Sequence, residues 1–115
     1  MKLSVVVPCF NEEDNIDKLR IEFFPVIEKL LGSSVDGGRI DSIEIVFVDD
    51  GSRDGTYDAL KKAFGSYAHS SITIKFEKHA VNRGLGAAMR TGLVAARNGA
   101  GSSGATAGTA AANSW

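Results

Sequence analysis

IEIVFVDDGSRDGT, Ile43 to Thr56, couples an apolar run to a cluster of acids and glycines. It opens as five apolar residues, Ile43 and Ile45 to Val48, broken only by Glu44, then turns abruptly into two adjacent carboxylates, a glycine, and a loop with a further aspartate and glycine. A short apolar run bounded by turn residues reads as a strand covered on both faces, the kind found in parallel sheets. Adjacent like charges repel, so Asp49 and Asp50 at its end require a compensating partner: solvent, a helix N-terminus, a metal or a ligand.

Working outward, LSVVV near the N-terminus is a second run of the same type, stopped by Pro8. After it, NEEDNIDKLRIEFFPVIEKLL has an N-cap candidate in Asn11, acids in the first turn, and an apolar stripe at Ile16, Leu19, Phe23, Val26, Ile27 and Leu30. Pro25 lies within that stripe and predicts a kink or break near Phe24. GSSVDGGRIDS reads as a loop. Beyond Asp54, the expected helix cap, DGTYDALKKAF reads as a second helix, SITIKFE as a third strand, and GLGAAMRTGLVAAR as a third helix despite Gly92. The order βαβαβα predicts an α/β, Rossmann-like parallel sheet with helices on its faces. Ligands in such sheets sit beyond the carboxyl ends of the strands. Two polar clusters fall there, Pro8 to Glu12 and Asp49 to Asp54.

Residues 1–97 therefore read as one α/β domain. From residue 98 the chain is uncharged and rich in glycine, serine and alanine, with too little apolar bulk to offset chain entropy, so 98–115 reads as a low-complexity, disordered tail. The length of 115 residues suits one domain, and a net charge of −1 offers no field for nucleic acid. A single cysteine, Cys9, excludes an internal disulfide and points to a reducing compartment. No segment reaches the roughly 18 apolar residues of a membrane span.

Several readings of DDGSRDG compete. A solvated strand-to-helix turn is the plainest. A calcium loop would need a bidentate glutamate where Lys61 stands, and a helix where a strand precedes. A phosphoacceptor site would need a further aspartate after the third strand. In a nucleotide site, by contrast, a strand-end carboxylate takes charge-assisted hydrogen bonds from a base or ribose, and Gly51 lets backbone approach the ligand. Phe10 offers a stacking face. Glu12 offers an acceptor for sugar hydroxyls, or simply first-turn helix electrostatics. The glycines at 84 and 86 do not complete a dinucleotide fingerprint, because position 89 is methionine, and no P-loop is present. Arg83 reads as a surface arginine or an anion contact. Cys9 reads as a small buried residue, and His69 and His79 carry no role.

Together SVVVPCFNEEDNI, IEIVFVDDGSRDGT and NRGLGAAMRTGLVAA resemble the N-terminal half of a family 2 glycosyltransferase, of the branch that includes dolichol-phosphate mannose synthase and other polyprenyl-phosphate hexose transferases. Three ordered blocks over the first 97 residues make the likeness specific. The resemblance implies a partial GT-A fold that binds a GDP- or UDP-linked sugar for hexose transfer to a polyprenyl phosphate or a glycan acceptor, in the cytoplasm or at its membrane face. It implies that Pro8, Phe10, Glu12, Val48 and Asp50 line the nucleoside pocket. Asn82, Arg83 and Gly84 would then border the diphosphate, with Asp49, Gly51 and Asp54 shaping the turn. Phe10 stands where the family often has tyrosine. The family also uses Mg²⁺ or Mn²⁺ on an Asp-x-Asp motif after the third helix. Here that place holds GAGSSGATAGTAAANSW, which has no carboxylate, so the sequence supplies neither metal ligands nor a catalytic residue and reads as truncated or frame-shifted near Gly99. A non-catalytic nucleotide-binding module and an unstable fragment are the alternatives.

Overall fold

The structure is a computed structural model and describes residues 1–98 and 104–108. Strand β1 (Lys2–Cys9) leads through a 3₁₀ turn (Glu13–Asn15) into helix α1 (Ile16–Leu30). A small hairpin, β2 (Ser34–Val35) and β3 (Gly38–Arg39), precedes strand β4 (Ser42–Asp50) and helix α2 (Thr56–Phe64). Strand β5 (Ile72–His79), helix α3 (Leu85–Asn98) and strand β6 (Gly104–Gly108) complete the order. The main sheet runs β5-β4-β1-β6 and every pair in it is parallel. This is the α/β, Rossmann-like sheet that the alternation of strand and helix patterns predicts.

Strand period sorts the side chains between two layers. Leu3, Val5, Val7 and Cys9 of β1, with Ile43, Ile45 and Phe47 of β4, pack under α1 and α2 against Ile16, Ile27, Leu60 and Phe64. An aromatic group closes this layer, with Phe47 and Phe64 ring centroids 4.4 Å apart and Phe24 stacked on Tyr67 at 4.1 Å. On the opposite face Val6, Val46 and Val48 pack against Ala88 of α3. Gly92 permits this layer to be thin: a Cβ there would lie 2.2 Å from Val6 Cγ1, so only glycine lets α3 settle onto β1. Toward the amino ends of the strands the same face turns polar. Glu44, buried in β4, pairs with Lys75 Nζ at 2.6 Å and Lys2 Nζ at 3.4 Å, and Lys75 also donates to the Ala95 carbonyl of α3.

Four local expectations are corrected. Asn11 does not cap a helix; it takes a left-handed conformation (φ 52°) that turns the chain, and α1 starts only at Ile16. Of the kink or break expected near Phe24, the break does not occur: helix α1 runs on through Pro25, whose missing donor would have served the carbonyl of Ile21, an exposed residue that water reaches. The loop after α1 contains the β2–β3 hairpin, because Asp36 and Gly37 both adopt positive φ (48° and 79°), as tight hairpin turns demand. Within the stretch read as a tail, Gly104–Gly108 pair in register with Lys2–Val6 of β1. The rest of that stretch beyond Asn98 lies outside the described residues.

Candidate functional site

Parallel pairing of β1 with β4, with Cys9 opposite Asp49, brings the loops that follow the two strands together. They are laced to each other. Asn11 N–H donates to Ser52 Oγ at 2.9 Å, and Arg53 N–H returns a bond to Asn11 Oδ1 at 2.9 Å. Glu12 N–H donates to Thr56 Oγ1 at 2.9 Å, Glu13 N–H to Asp54 Oδ2 at 3.3 Å, and Gly55 N–H to Glu13 Oε1 at 2.9 Å. Asp54 Oδ1 accepts the Thr56 N–H at 3.0 Å and the Thr56 hydroxyl, which satisfies a free donor at the start of α2. Much of the polar content of both motifs is thus consumed in holding one loop to the other.

The paired aspartates part company at the strand end. The strand alternation sends Asp49 to the α1/α2 side and Asp50 to the α3 side. Asp49 accepts from the Ser52 hydroxyl, and burial pushes its carboxyl above the ordinary range, with the Asp54 charge adding to the rise. Asp50, 0 % exposed, has both oxygens taken: Oδ1 by His79 Nδ1 (2.6 Å) and Arg83 N–H (2.9 Å), Oδ2 by Asn82 Nδ2 (3.1 Å) and Gly84 N–H (2.8 Å). Asn82 Nδ2 also reaches the Asp50 carbonyl at 3.1 Å. Asp50 is therefore the post to which the β5–α3 loop is tied. Gly51 shares that job. Its φ is +70° and a Cβ there would lie 2.2 Å from Asn82 N and Val81 C, so the backbone it approaches is this loop rather than an open ligand space.

Glu12 differs from both. It is 3 % exposed, its Oε2 accepts from Asn15 Nδ2 at 2.8 Å, and its Oε1 is buried with no hydrogen-bond partner among the described residues. An unmet carboxylate oxygen away from water is costly unless a ligand or water supplies a donor. Glu12 and Asp49 together surround Cys9 with negative charge. Burial first, and these two carboxylates second, push the Cys9 thiol up to about 12, which leaves it a poor nucleophile.

The other residues singled out in the sequence are scattered around this edge. Pro8 and Val48 face each other in register and are buried; Val48 packs under α3 and has no exposed surface. Phe10 is half-buried beside Asn11. Arg83 is exposed and lines a cleft of about 280 Å³ with Glu77, Arg90 and Thr91. Glu12 and Asp50 sit at neighbouring strand ends, but their carboxylates serve different neighbours, Asn15 in one case and the β5–α3 loop in the other. The sequence reading missed His79. Nothing in its spacing marks it, but its position as last residue of β5, opposite Asp50 in register, is the signal that the fold supplies.

Among the described residues no group of three or more histidine, cysteine or acidic side chains is arranged to hold a metal ion. Among the described residues Asp49 and Asp50 offer no open pair of ligands, since both already accept from protein donors. No helix of the described residues is long and apolar enough to cross a membrane.

The model for glycosyl transferase family 2 matches residues 4–99. The chain belongs to glycosyl transferase family 2. It is 31 % identical over 98 residues to a dolichyl-phosphate beta-glucosyltransferase of Drosophila melanogaster and 33 % identical over 97 residues to the Homo sapiens protein of the same name. It is also 33 % identical over 96 residues to the uncharacterized glycosyltransferase YkoT of Bacillus subtilis (strain 168). Each alignment covers 84 % of this chain and only 26–28 % of the relative, so the chain spans about a quarter of the length of these curated relatives. No solved structure matches it.

Proposed function

We propose that this chain forms the nucleotide-sugar-binding portion of a glycosyltransferase that moves a hexose from a GDP- or UDP-linked donor to a polyprenyl phosphate or a glycan acceptor. Family membership supports the transferase class, and the name of two relatives, dolichyl-phosphate beta-glucosyltransferase, supports a lipid-phosphate acceptor. The observation that carries the site assignment is the unmet Glu12 Oε1, a buried acceptor at the carboxyl edge of a parallel sheet, where such folds take their ligands. A base N–H or ribose hydroxyl supplies the donor it lacks, in a charge-assisted hydrogen bond. Phe10 lies two residues away to stack on the base, and Arg83 and Asn82 border the diphosphate side. Asp50 contributes by fixing the loop that carries them, and Pro8 and Val48 by shaping the sheet edge. Mg²⁺ or Mn²⁺ belongs to the reaction of the whole enzyme.

The engaged state of Asp49 and Asp50 favours a second reading, a module that binds nucleotide without metal. Calorimetric titration of GDP and UDP with and without Mn²⁺ separates the two: metal-dependent affinity supports the transferase site, and metal-indifferent affinity supports the module. Glu12→Gln is expected to weaken either nucleotide by about tenfold, the scale of one hydrogen bond to a charged group. Failure of the folded chain to bind either nucleotide overturns both readings.

A further inference from the structure

We propose that His79 is a positioning residue of the nucleotide site, acting through Asp50 on the loop that carries Asn82 and Arg83. The inference rests on the nucleotide-binding reading and names a part for a residue that the motifs leave out. Three side chains from three elements form one chain of hydrogen bonds: Thr91 Oγ1 of α3 lies 2.7 Å from His79 Nε2, and His79 Nδ1 of β5 lies 2.6 Å from Asp50 Oδ1 of β4. Asp50 accepts, so Nδ1 carries the hydrogen, and in the neutral ring Nε2 accepts from the Thr91 hydroxyl. His79 is 7 % exposed, which keeps water from competing for either nitrogen.

The arrangement has a direct consequence for the loop. Asp50 Oδ1 is shared between His79 and the Arg83 N–H, and Oδ2 between Asn82 and the Gly84 N–H. The imidazole fixes the plane of the carboxylate, and that plane fixes where residues 82–84 run. Arg83 and Thr91 line the same cleft together with Arg90. Thus the relay ends where a diphosphate would find its cations, and a tilted Asp50 carboxylate would displace Arg83 without removing any group that touches the ligand.

The test compares His79→Asn, His79→Gln and His79→Ala. Asparagine can place an N–H near the position of Nδ1, whereas glutamine mimics Nε2 and leaves Asp50 without this donor. Two readouts are taken: amide hydrogen exchange at Arg83 and Gly84 in the free chain, and calorimetric titration with GDP and UDP. Expected are faster exchange at both amides and at least about tenfold weaker binding in the glutamine and alanine variants, with the asparagine variant within about threefold of wild type. The asparagine and glutamine pair decides the matter even where the alanine variant does not fold. Unchanged exchange in the glutamine variant overturns the positioning role, as does an asparagine variant that binds no better than the glutamine one. Absence of nucleotide binding by the wild-type chain overturns the nucleotide reading, and with it His79's part in that site; altered exchange alone would then mark a purely structural tie.

Discussion

Asp49 and Asp50 are adjacent in the chain yet serve opposite faces of the sheet: Asp49 accepts from Ser52 on the α1/α2 side, and Asp50 ties down the β5–α3 loop on the α3 side. Their substitutions therefore differ. Asp50→Asn replaces an acceptor with an NH₂ group amid four protein donors, leaving at least one unmet. It is expected to cost about 2–4 kcal/mol, read as a lowered urea midpoint. Asp49→Asn keeps an acceptor for Ser52 and is expected to change stability at neutral pH by no more than about 1 kcal/mol in the unfavourable direction.

The same aspartate gives a pH signature. Burial raises Asp49 above its ordinary value of 3.8, so the folded chain holds that proton more tightly than the unfolded one. Its favourable contribution is complete below pH 3.8 and is lost as pH rises through the higher folded value. Asp49→Asn removes that loss. Urea denaturation of wild type and variant from acid to neutral pH should show the difference shifting in favour of the variant as pH rises; a difference that stays flat across the range refutes the assignment.

Cys9 should be silent to thiol reagents in the native chain. It is fully buried, and its thiol is pushed up to about 12 by burial and by the Asp49 and Glu12 charges. At pH 8 a disulfide reagent is expected to label it only at the rate of unfolding, and rapidly in urea. Prompt labelling of the folded chain would contradict the packing described for the end of β1.

Two glycines test how closely the layers meet. Gly51→Ala combines a φ of +70° with a Cβ 2.2 Å from the backbone of Asn82, and is expected to cost about 2–4 kcal/mol or prevent folding. For Gly92→Ala two effects oppose each other. Helix propensity favours alanine by about 1 kcal/mol, while overpacking against Val6 costs about 1–3 kcal/mol, so a net loss is expected. A thermal melt of each variant checks both; stabilisation by Gly92→Ala would mean that α3 can lift off β1 freely.

The order of the three long strands and three helices and their parallel sheet were legible without coordinates, because runs such as IEIVFV and the stripe from Ile16 to Leu30 are written in consecutive residues. The family was legible in a different way, from three ordered motif blocks rather than from periodicity. Local pattern failed where a backbone conformation overrode it, as at Asn11 with its left-handed turn and at the Asp36–Gly37 hairpin. The roles of the polar residues were decided only by tertiary structure. No spacing along the chain relates Asp50 to His79, 29 residues on, or Asn11 to Arg53; parallel pairing of β1, β4 and β5 brings them within hydrogen-bond reach. The motif acids looked like ligand groups in isolation because a carboxylate advertises acceptors. Only the fold shows which oxygens are already taken, and that among the buried side-chain atoms of the described residues Glu12 Oε1 is left unmet.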